Sequence, residues 1–286
     1  MTSLSVVIPS YNSAATLRGC LKALEAQLDW NRDEIIVVDS SSDSSSDSLR
    51  ALFPQIRWQQ HGQRLLPGAA RNRGFQIAQR ERVAFLDADI VVQQGWRKAA
   101  DDLPSQAVAA GGPIEPGYPH NRWGLARYWI EFGEFSTASL PREIWNIPSC
   151  NMIWLRSAFA ETGGFPENFA SADDLLFNYR NMKLKSRRFS LHRQLKVFHP
   201  ADCGLHAAEQ HLRHVGYWSG RARGEGLRPG VGNSRLSAPF LYVYRFSQTW
   251  RRCIRGSGLA EARSLAPSIA KGVGWWCEGF YQGLGE

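Results

Sequence analysis

Three short, mainly apolar runs constrain this chain more than any other feature: "LSVVIP" (4–9), "EIIVVD" (34–39) and "RVAFL" (82–86), the last followed at once by Asp87. None alternates apolar with polar residues, so none suits a strand with one face in water. Unbroken apolar strands are covered on both faces, as in parallel sheets. Helical segments lie between them. "SAATLRGCLKALEAQ" (13–27) sets Leu17, Leu21 and Leu24 on one face, with Ser13 placed to cap it, and "GAARNRGFQIAQ" (68–79) leads into the third run. Strand alternating with helix predicts a doubly wound α/β unit, a mostly parallel sheet with helices on both faces, over the first ~110 residues. In such folds ligands bind outside the carboxyl ends of the strands, where Ser10, Asp39 and Asp87 stand.

Asp87 and Asp89 pose a question of charge. Residues two apart in extended chain point the same way, so both carboxylates face one spot. Like charges there repel and raise each other's pKa unless a cation intervenes. A hard divalent metal with oxygen ligands answers this, and it commonly carries phosphate. A solvated turn after a strand is the alternative.

At 286 residues, 43% apolar and 21% charged, the chain has the makeup of an ordinary globular protein with a substantial core. Its net charge of +8 suits acidic partners. Between Arg180 and Arg255 sixteen Lys and Arg face only Asp202, Glu209 and Glu225. No nucleic-acid module accompanies them, so nucleic acid is not the expected partner, and a membrane-facing or phosphate-facing surface fits better. Five scattered cysteines without C-x-x-C predict neither a disulfide framework nor a zinc site and suit a reducing cytosol. "SLSVVIPS" at the N-terminus lacks the form of a signal peptide, and no apolar run reaches the ~20 residues of a spanning helix.

Past "AAGGPIEPG" (109–117) the composition turns aromatic, with Tyr118, Trp123, Tyr128, Trp129, Phe132, Phe135 and Trp145, which reads as an insertion or a wall of the site. "ETGGFPENFASADDLLFNYRNMK" (161–183) runs from a Gly-Gly turn into a helix beginning near Asp173, and the serine stretch 40–48 is a loop entering a helix near Asp47. The expected organisation is 1–110 as an α/β, ligand-binding half, 111–204 as a second half of the same domain, and 205–286 as a basic, mainly helical region.

These pieces together resemble the family 2 glycosyltransferases of GT-A fold. "VVIPSYNSAATLRGCLKAL" is similar to the family's first strand and helix, and "EIIVVDSSSDSSSD" to its second strand and loop. "PGAARNRGFQIA" resembles its Arg-Asn-x-Gly segment, "VAFLDADIVV" its D-x-D, and "GGFPENFASADDLLFNYR" its acceptor-side segment. The likeness runs in order from residue 4 to about 225. It implies that Pro9 and Tyr11 border the nucleobase, Asp39 bonds base or ribose, Arg71 lies near base and phosphates, and Asp87 contacts the ribose side. It further implies that Asp89 and His199 hold the metal, Mn²⁺ or Mg²⁺, and that Arg221 and Arg223 close over the donor. Asp174 would be the general base, with Asp173 and Trp145 on the acceptor side. Ser40 and Ser41 replace the usual Asp-Gly, Asp173 the usual Glu, and Pro166 the common Asp of Gly-Gly-Phe-Asp.

The implied activity is a metal-dependent inverting hexosyl transfer from a nucleotide-diphosphate sugar, a UDP-sugar foremost, to a saccharide or lipid-linked acceptor. One carboxylate base without a second as nucleophile means single displacement. Alternatives are a binding scaffold of the same fold without turnover and a sugar nucleotidyltransferase, although "IPSYNSAATL" lacks a glycine-rich phosphate loop. His206, His211 and His214 have near-helical spacing but read as surface among arginines. Leu265, Ile269, Val273, Trp276, Phe280 and Leu284 form one helical stripe, which closes the protein's own core or a dimer, or else touches an anionic membrane. The corresponding location is the cytoplasm, with peripheral contact at the inner face of the membrane.

Overall fold

The computed structural model describes residues 2–140, 144–227 and 234–285. The chain divides into two compact units, one formed by the described residues up to Pro113 and from 144 to Phe198, the other by those from Ile114 to 140 and from His199 onward.

In the first unit β1 (Leu4–Ser10), α1 (Ala14–Glu25), β2 (Glu34–Asp39), α2 (Asp47–Leu52), β3 (Arg57–Gln60), α3 (Pro67–Ile77) and β4 (Arg82–Leu86) alternate as the apolar runs require. β5 (Val91–Val92), α4 (Trp96–Asp101) and β6 (Ala109–Gly111) follow. In chain order, β7 (Ile114–His120) and α5 (Arg122–Glu131) belong to the second unit. The first resumes with β8 (Asn151–Leu155), α6 (Arg156–Ala160), α7 (Asp173–Asn178), β9 (Ser190–Leu191) and the opening of β10 (Val197–Ala201).

The seven-stranded sheet has the order β3-β2-β1-β4-β8-β6-β9. β1 pairs in parallel with β2 and β4, and β2 with β3, whereas β8 runs antiparallel to β4 and β6. Every residue of β2 and of β4 is buried, which explains their unbroken apolar character. The sheet is thus mixed but mostly parallel. Its order reverses at β1, between β2 and β4, which is where a doubly wound sheet opens a crevice. Ser13 does precede α1, yet its hydroxyl lies 3.0 Å from that of Ser10 and makes no capping bond.

The second unit is helical apart from β7 and the end of β10. Its long helices are α8 (Leu205–Gly224), α9 (Ala238–Ser257) and α10 (Leu259–Leu284). α8 and α10 approach backbone to backbone. A Cβ on Gly216 would stand 2.1 Å from the Trp276 carbonyl oxygen, and one on Gly279 would stand 2.1 Å from that of Arg213. Gly220 and Gly283 continue the seam one turn on. The α10 stripe is therefore core: Leu265, Ile269, Val273, Trp276 and Phe280 are buried, and Leu284 packs against them. This corrects the expectation of membrane contact through that stripe, because α5, α8 and α9 cover it. No described helix is long and apolar enough to cross a membrane.

Candidate active site

Beyond the ends of β1 and β4 a cleft of ≈ 320 Å³ opens, lined in part by Pro9, Tyr11, Arg71, Asp87 and Asp89. That is the size of a small ligand pocket. Tyr11 is 36% exposed and the Arg64 guanidinium lies over its ring, 4.4 Å from the centroid. Asn12, at φ 50, turns the chain out of β1, and its side-chain oxygen accepts from the Ser42 amide.

Asp39 pairs in register with Ser10 one strand over. It is buried, and burial alone would raise its pKa. Hydrogen bonds from the Ser41 hydroxyl and amide, then from Arg50, prevail and hold it below the usual carboxylate range. Ser41, one of the two departures in this loop, is therefore a direct partner of Asp39.

The segment "GAARNRGF" works as a clamp between distant parts of the first unit. Arg71, buried on α3, donates through one Nη to Asp87 Oδ1 at 2.7 Å and through the other to Asp173 Oδ2 at 2.8 Å. Its neighbour Asn72 donates to the Phe165 carbonyl and accepts from the Phe165 amide, fixing the loop "GGFPENF". Gly68 makes room for this, since a Cβ there would stand 2.2 Å from the Pro166 carbonyl oxygen. What the site uses at position 166 is backbone, which a proline supplies as well as an aspartate.

Arg71 also answers the question of the paired acids in part: the charge of Asp87 is met by a guanidinium. Asp89 lines the same cleft. Burial first, then the charges of Asp89 and Asp87, push the neighbouring Cys20 thiol well above its ordinary pKa. The field at this strand end is thus negative, as a divalent cation would require, and two carboxylates suffice when phosphate and water complete the coordination. Among the described residues no cluster of three or more His, Cys, Asp or Glu is placed to hold a metal by itself.

At the entry to α7 Ala172 adopts the left-handed conformation, φ 60 and ψ 13. Such a backbone costs an alanine about 1–2 kcal/mol, and strain of this kind gathers at functional sites. It delivers Asp173 and Asp174 into the first turn of α7. Asp173 is buried and tied to Arg71. Asp174 is part-exposed: one oxygen accepts from the Ser149 amide at 3.0 Å and hydroxyl at 3.4 Å, the other from the Leu175 amide at 2.7 Å. Burial raises the pKa of both acids, against hydrogen bonds and the charge of Arg71 that pull the other way. Trp145 is half-buried, edge-on to Tyr179 with ring centroids 6.2 Å apart. Ser149, Arg50 and Arg64 carried no sequence signal, because each owes its place to tertiary structure.

The remaining candidates belong to the second unit. His199 in β10 is buried against Phe132, ring centroids 4.6 Å apart, with Nδ1 3.1 Å from the Pro200 carbonyl oxygen. Arg221 and Arg223 occupy the last turn of α8, with Arg221 3.7 Å from Glu225 and the Arg223 guanidinium 5.9 Å from the Phe280 ring centroid. His211 pairs with Glu131 at 2.8 Å, and His214 faces the Trp218 ring.

The glycosyl transferase family 2 model matches residues 5–163. A "Pre-mycofactocin glycosyltransferase" of Mycobacterium tuberculosis is 28% identical over 281 residues, 94% of this chain and 56% of that protein. "Glycosyltransferase AglE" of Haloferax volcanii is 27% identical over 191 residues, 62% of this chain and 60% of the relative. The chain thus spans little more than half the length of these curated relatives. Among solved structures, mannosyltransferase PcManGT from Pyrobaculum calidifontis, in complex with GDP-Man and Mn²⁺, aligns with TM-score 0.63 at 15% identity over 99% of this chain and 87% of its own. S. aureus TarS 1-349 in complex with UDP-GlcNAc aligns at 0.60 and 17%, over 98% and 90%. These likenesses carry the fold. The family model, matched over more than half of the chain and across the strand ends and α3, carries more: the chain belongs to glycosyl transferase family 2.

Proposed function

We propose that the protein is an inverting hexosyltransferase that moves a sugar from a nucleotide-diphosphate sugar, foremost a UDP-sugar, to an acceptor hydroxyl on a saccharide or lipid-linked saccharide. The observation that carries this reading is the unequal pair at the start of α7. Asp173 is buried and committed to Arg71, whereas Asp174 is part-exposed with a pKa raised by burial. A general base needs access and a pKa lifted toward the working range, and Asp174 has both.

Asp174 takes the proton of the acceptor hydroxyl. The oxygen so freed bonds to the anomeric carbon from the face opposite the diphosphate, while the bond from that carbon to the diphosphate oxygen breaks. One displacement inverts the centre. Asp89 would hold a divalent cation, Mn²⁺ or Mg²⁺, whose positive charge would stabilise the departing diphosphate, and Asp87 contacts the ribose side. Pro9 and Tyr11 border the nucleobase, Arg64 extends that wall, and Asp39 bonds base or ribose with its loop ordered by Ser41. Arg71 positions Asp87 and Asp173 relative to each other. Residues 1–110 then serve the donor, and 111–204, with Asp173 and Trp145, the acceptor. For His199 beside the cation and for Arg221 and Arg223 over the donor, the support is the sequence motif alone.

The solved relatives hold UDP-GlcNAc in one case and GDP-Man with Mn²⁺ in another, which supports a nucleotide-sugar donor of this class. A panel of nucleotide sugars, assayed by calorimetry and by release of nucleotide with and without Mn²⁺, tests the reading. Binding is expected to weaken at least about ten-fold without the cation, and Asp89→Ala to remove most of that dependence. Asp174→Asn is expected to keep donor binding and to lose transfer by at least ~10²-fold. Binding without turnover for every donor and acceptor tried would leave the scaffold alternative. Retained transfer in Asp174→Asn would move the base elsewhere.

A further inference from the structure

α9 has two faces, and only one enters the core. Leu241, Thr249 and Cys253 are buried, and Tyr242 and Phe246 pack beside them. On the opposite side Phe240, Val243 and Tyr244 are 73, 63 and 51% exposed, and Leu236, in the turn leading into the helix, is 91% exposed. At 100° per residue these fall on one outward stripe, which continues through Ser247 to Arg251 and Arg255. The stripe is apolar where the helix begins and basic where it ends. Single exposed apolar side chains are ordinary, but four large ones grouped over two turns are not.

The charge of the region is one-sided. From residue 226 to 260 the sequence has six arginines (Arg228, Arg235, Arg245, Arg251, Arg252 and Arg255) and no acid. Arg245 and Arg252 turn inward, Arg245 over the Trp276 ring at 3.5 Å from its centroid and Arg252 to Glu134 at 2.8 Å. Arg251 and Arg255 are exposed on the same side as the apolar group. A second copy seated on this face would bring no acid to meet the exposed arginines. An anionic bilayer offers both of the environments the stripe asks for, a phosphate layer for the guanidinium groups and an acyl boundary for the apolar side chains.

We propose that the outward face of α9 docks in plane on an anionic lipid surface. Leu236, Phe240, Val243 and Tyr244 enter the boundary between headgroups and acyl chains, and Arg251 and Arg255 meet lipid phosphates. This rests on α9 and the turn before it, and is independent of the transferase reading.

Flotation of the full chain with vesicles of equal parts phosphatidylglycerol and phosphatidylcholine tests it, against vesicles of phosphatidylcholine alone. The protein is expected to float with the anionic vesicles at about 50 mM salt and to lose at least about five-fold in bound fraction at about 500 mM, where the Debye length is several-fold shorter. Phe240→Glu with Val243→Glu is expected to weaken binding at least about ten-fold. Arg251→Glu with Arg255→Glu is expected to abolish the preference for anionic lipid. Thermal unfolding, unchanged because all four side chains point outward, shows that both variants fold. Protein left in the soluble fraction with anionic vesicles at low salt, equal flotation on neutral vesicles, or flotation unchanged in both variants would overturn the proposal. So would a dimer seen by light scattering that the Phe240→Glu, Val243→Glu variant dissociates, since that places a second copy on this face.

Discussion

The core of the first unit contains ionisable side chains, Arg71 with Asp87 and Asp173 and Arg97 with Asp33, all but Asp87 almost wholly inaccessible. The seam between α8 and α10 in the second unit is made instead of glycines set against carbonyl groups, with ion pairs such as Arg213–Glu209 toward the surface. Buried ion pairs are a poor way to gain stability, because desolvation offsets most of the attraction. A glycine seam gives close packing without that penalty. Where one unit accepts buried charge and the other avoids it at its main seam, the charge marks chemistry and the seam marks shape.

Replacing Arg71 by Met strikes that difference hardest. It strands Asp87 and Asp173 without their cation and is expected to cost about 3–5 kcal/mol in urea unfolding. Asp173→Asn in the same chain is expected to restore a good part of it. The variant also has a pH signature. The proposed base, Asp174, would act only when ionised, and burial raises its pKa, so activity is expected to fall as pH drops through a value above the ordinary ~3.9. Arg71 opposes that rise, so the acid limb of the pH–rate profile is expected to move to higher pH in Arg71→Met. A limb that stays in place would mean that Arg71 does not reach the base.

On the seam, Gly279→Val forces a side chain against the Arg213 carbonyl and is expected to destabilise by about 3 kcal/mol, at the upper end of overpacking, read as a lower midpoint at unchanged slope. Asp39→Asn is expected to cost about 2 kcal/mol at neutral pH, the scale of hydrogen bonds to a charged group. The sign follows from its depressed pKa. The stabilisation is present above the unfolded value near ~3.9 and is lost as pH falls through the folded one, so mutant and parent midpoints converge in acid. The smallest effect is a gain: a Cβ on Gly274 meets only Tyr242, at 3.9 Å, so Gly274→Ala is expected to stabilise by up to about 1 kcal/mol.

Much of the fold was written in local pattern. "EIIVVD" and the 82–86 run are strands over those residues because an unbroken apolar run of that length has one way to be buried in a parallel sheet. The antiparallel insertion of β8 between β4 and β6 was not legible, since "NMIWL" carries no mark of which distant strand it joins. In the site, the spacing of Asp87, Asp89, Asp173 and Asp174 drew attention to two segments that meet at Arg71. That Arg71 bridges Asp87 to Asp173, and that Ser149 holds Asp174, depends on partners brought together from far along the chain. The α10 stripe shows the limit most plainly. An apolar stripe at helical spacing is the same whether its partner is protein or lipid. The missed signal was Gly216 and Gly220 on α8, spaced like Gly279 and Gly283 on α10.

Arg71 also bears on the order in which the molecule assembles. Its two carboxylate partners lie 16 and 102 positions along the chain. During synthesis the parallel strands β1 to β4 can meet once residue 86 is available, but the guanidinium that α3 brings to their ends then has only one of its two carboxylate partners. It can be sealed from water only after the loop before α7 has returned to it. Closing so long a loop is slow compared with local pairing. The strand core is therefore expected to gain amide-exchange protection in a first phase, and the cluster of Arg71, Asp173 and Asp174 in a later one.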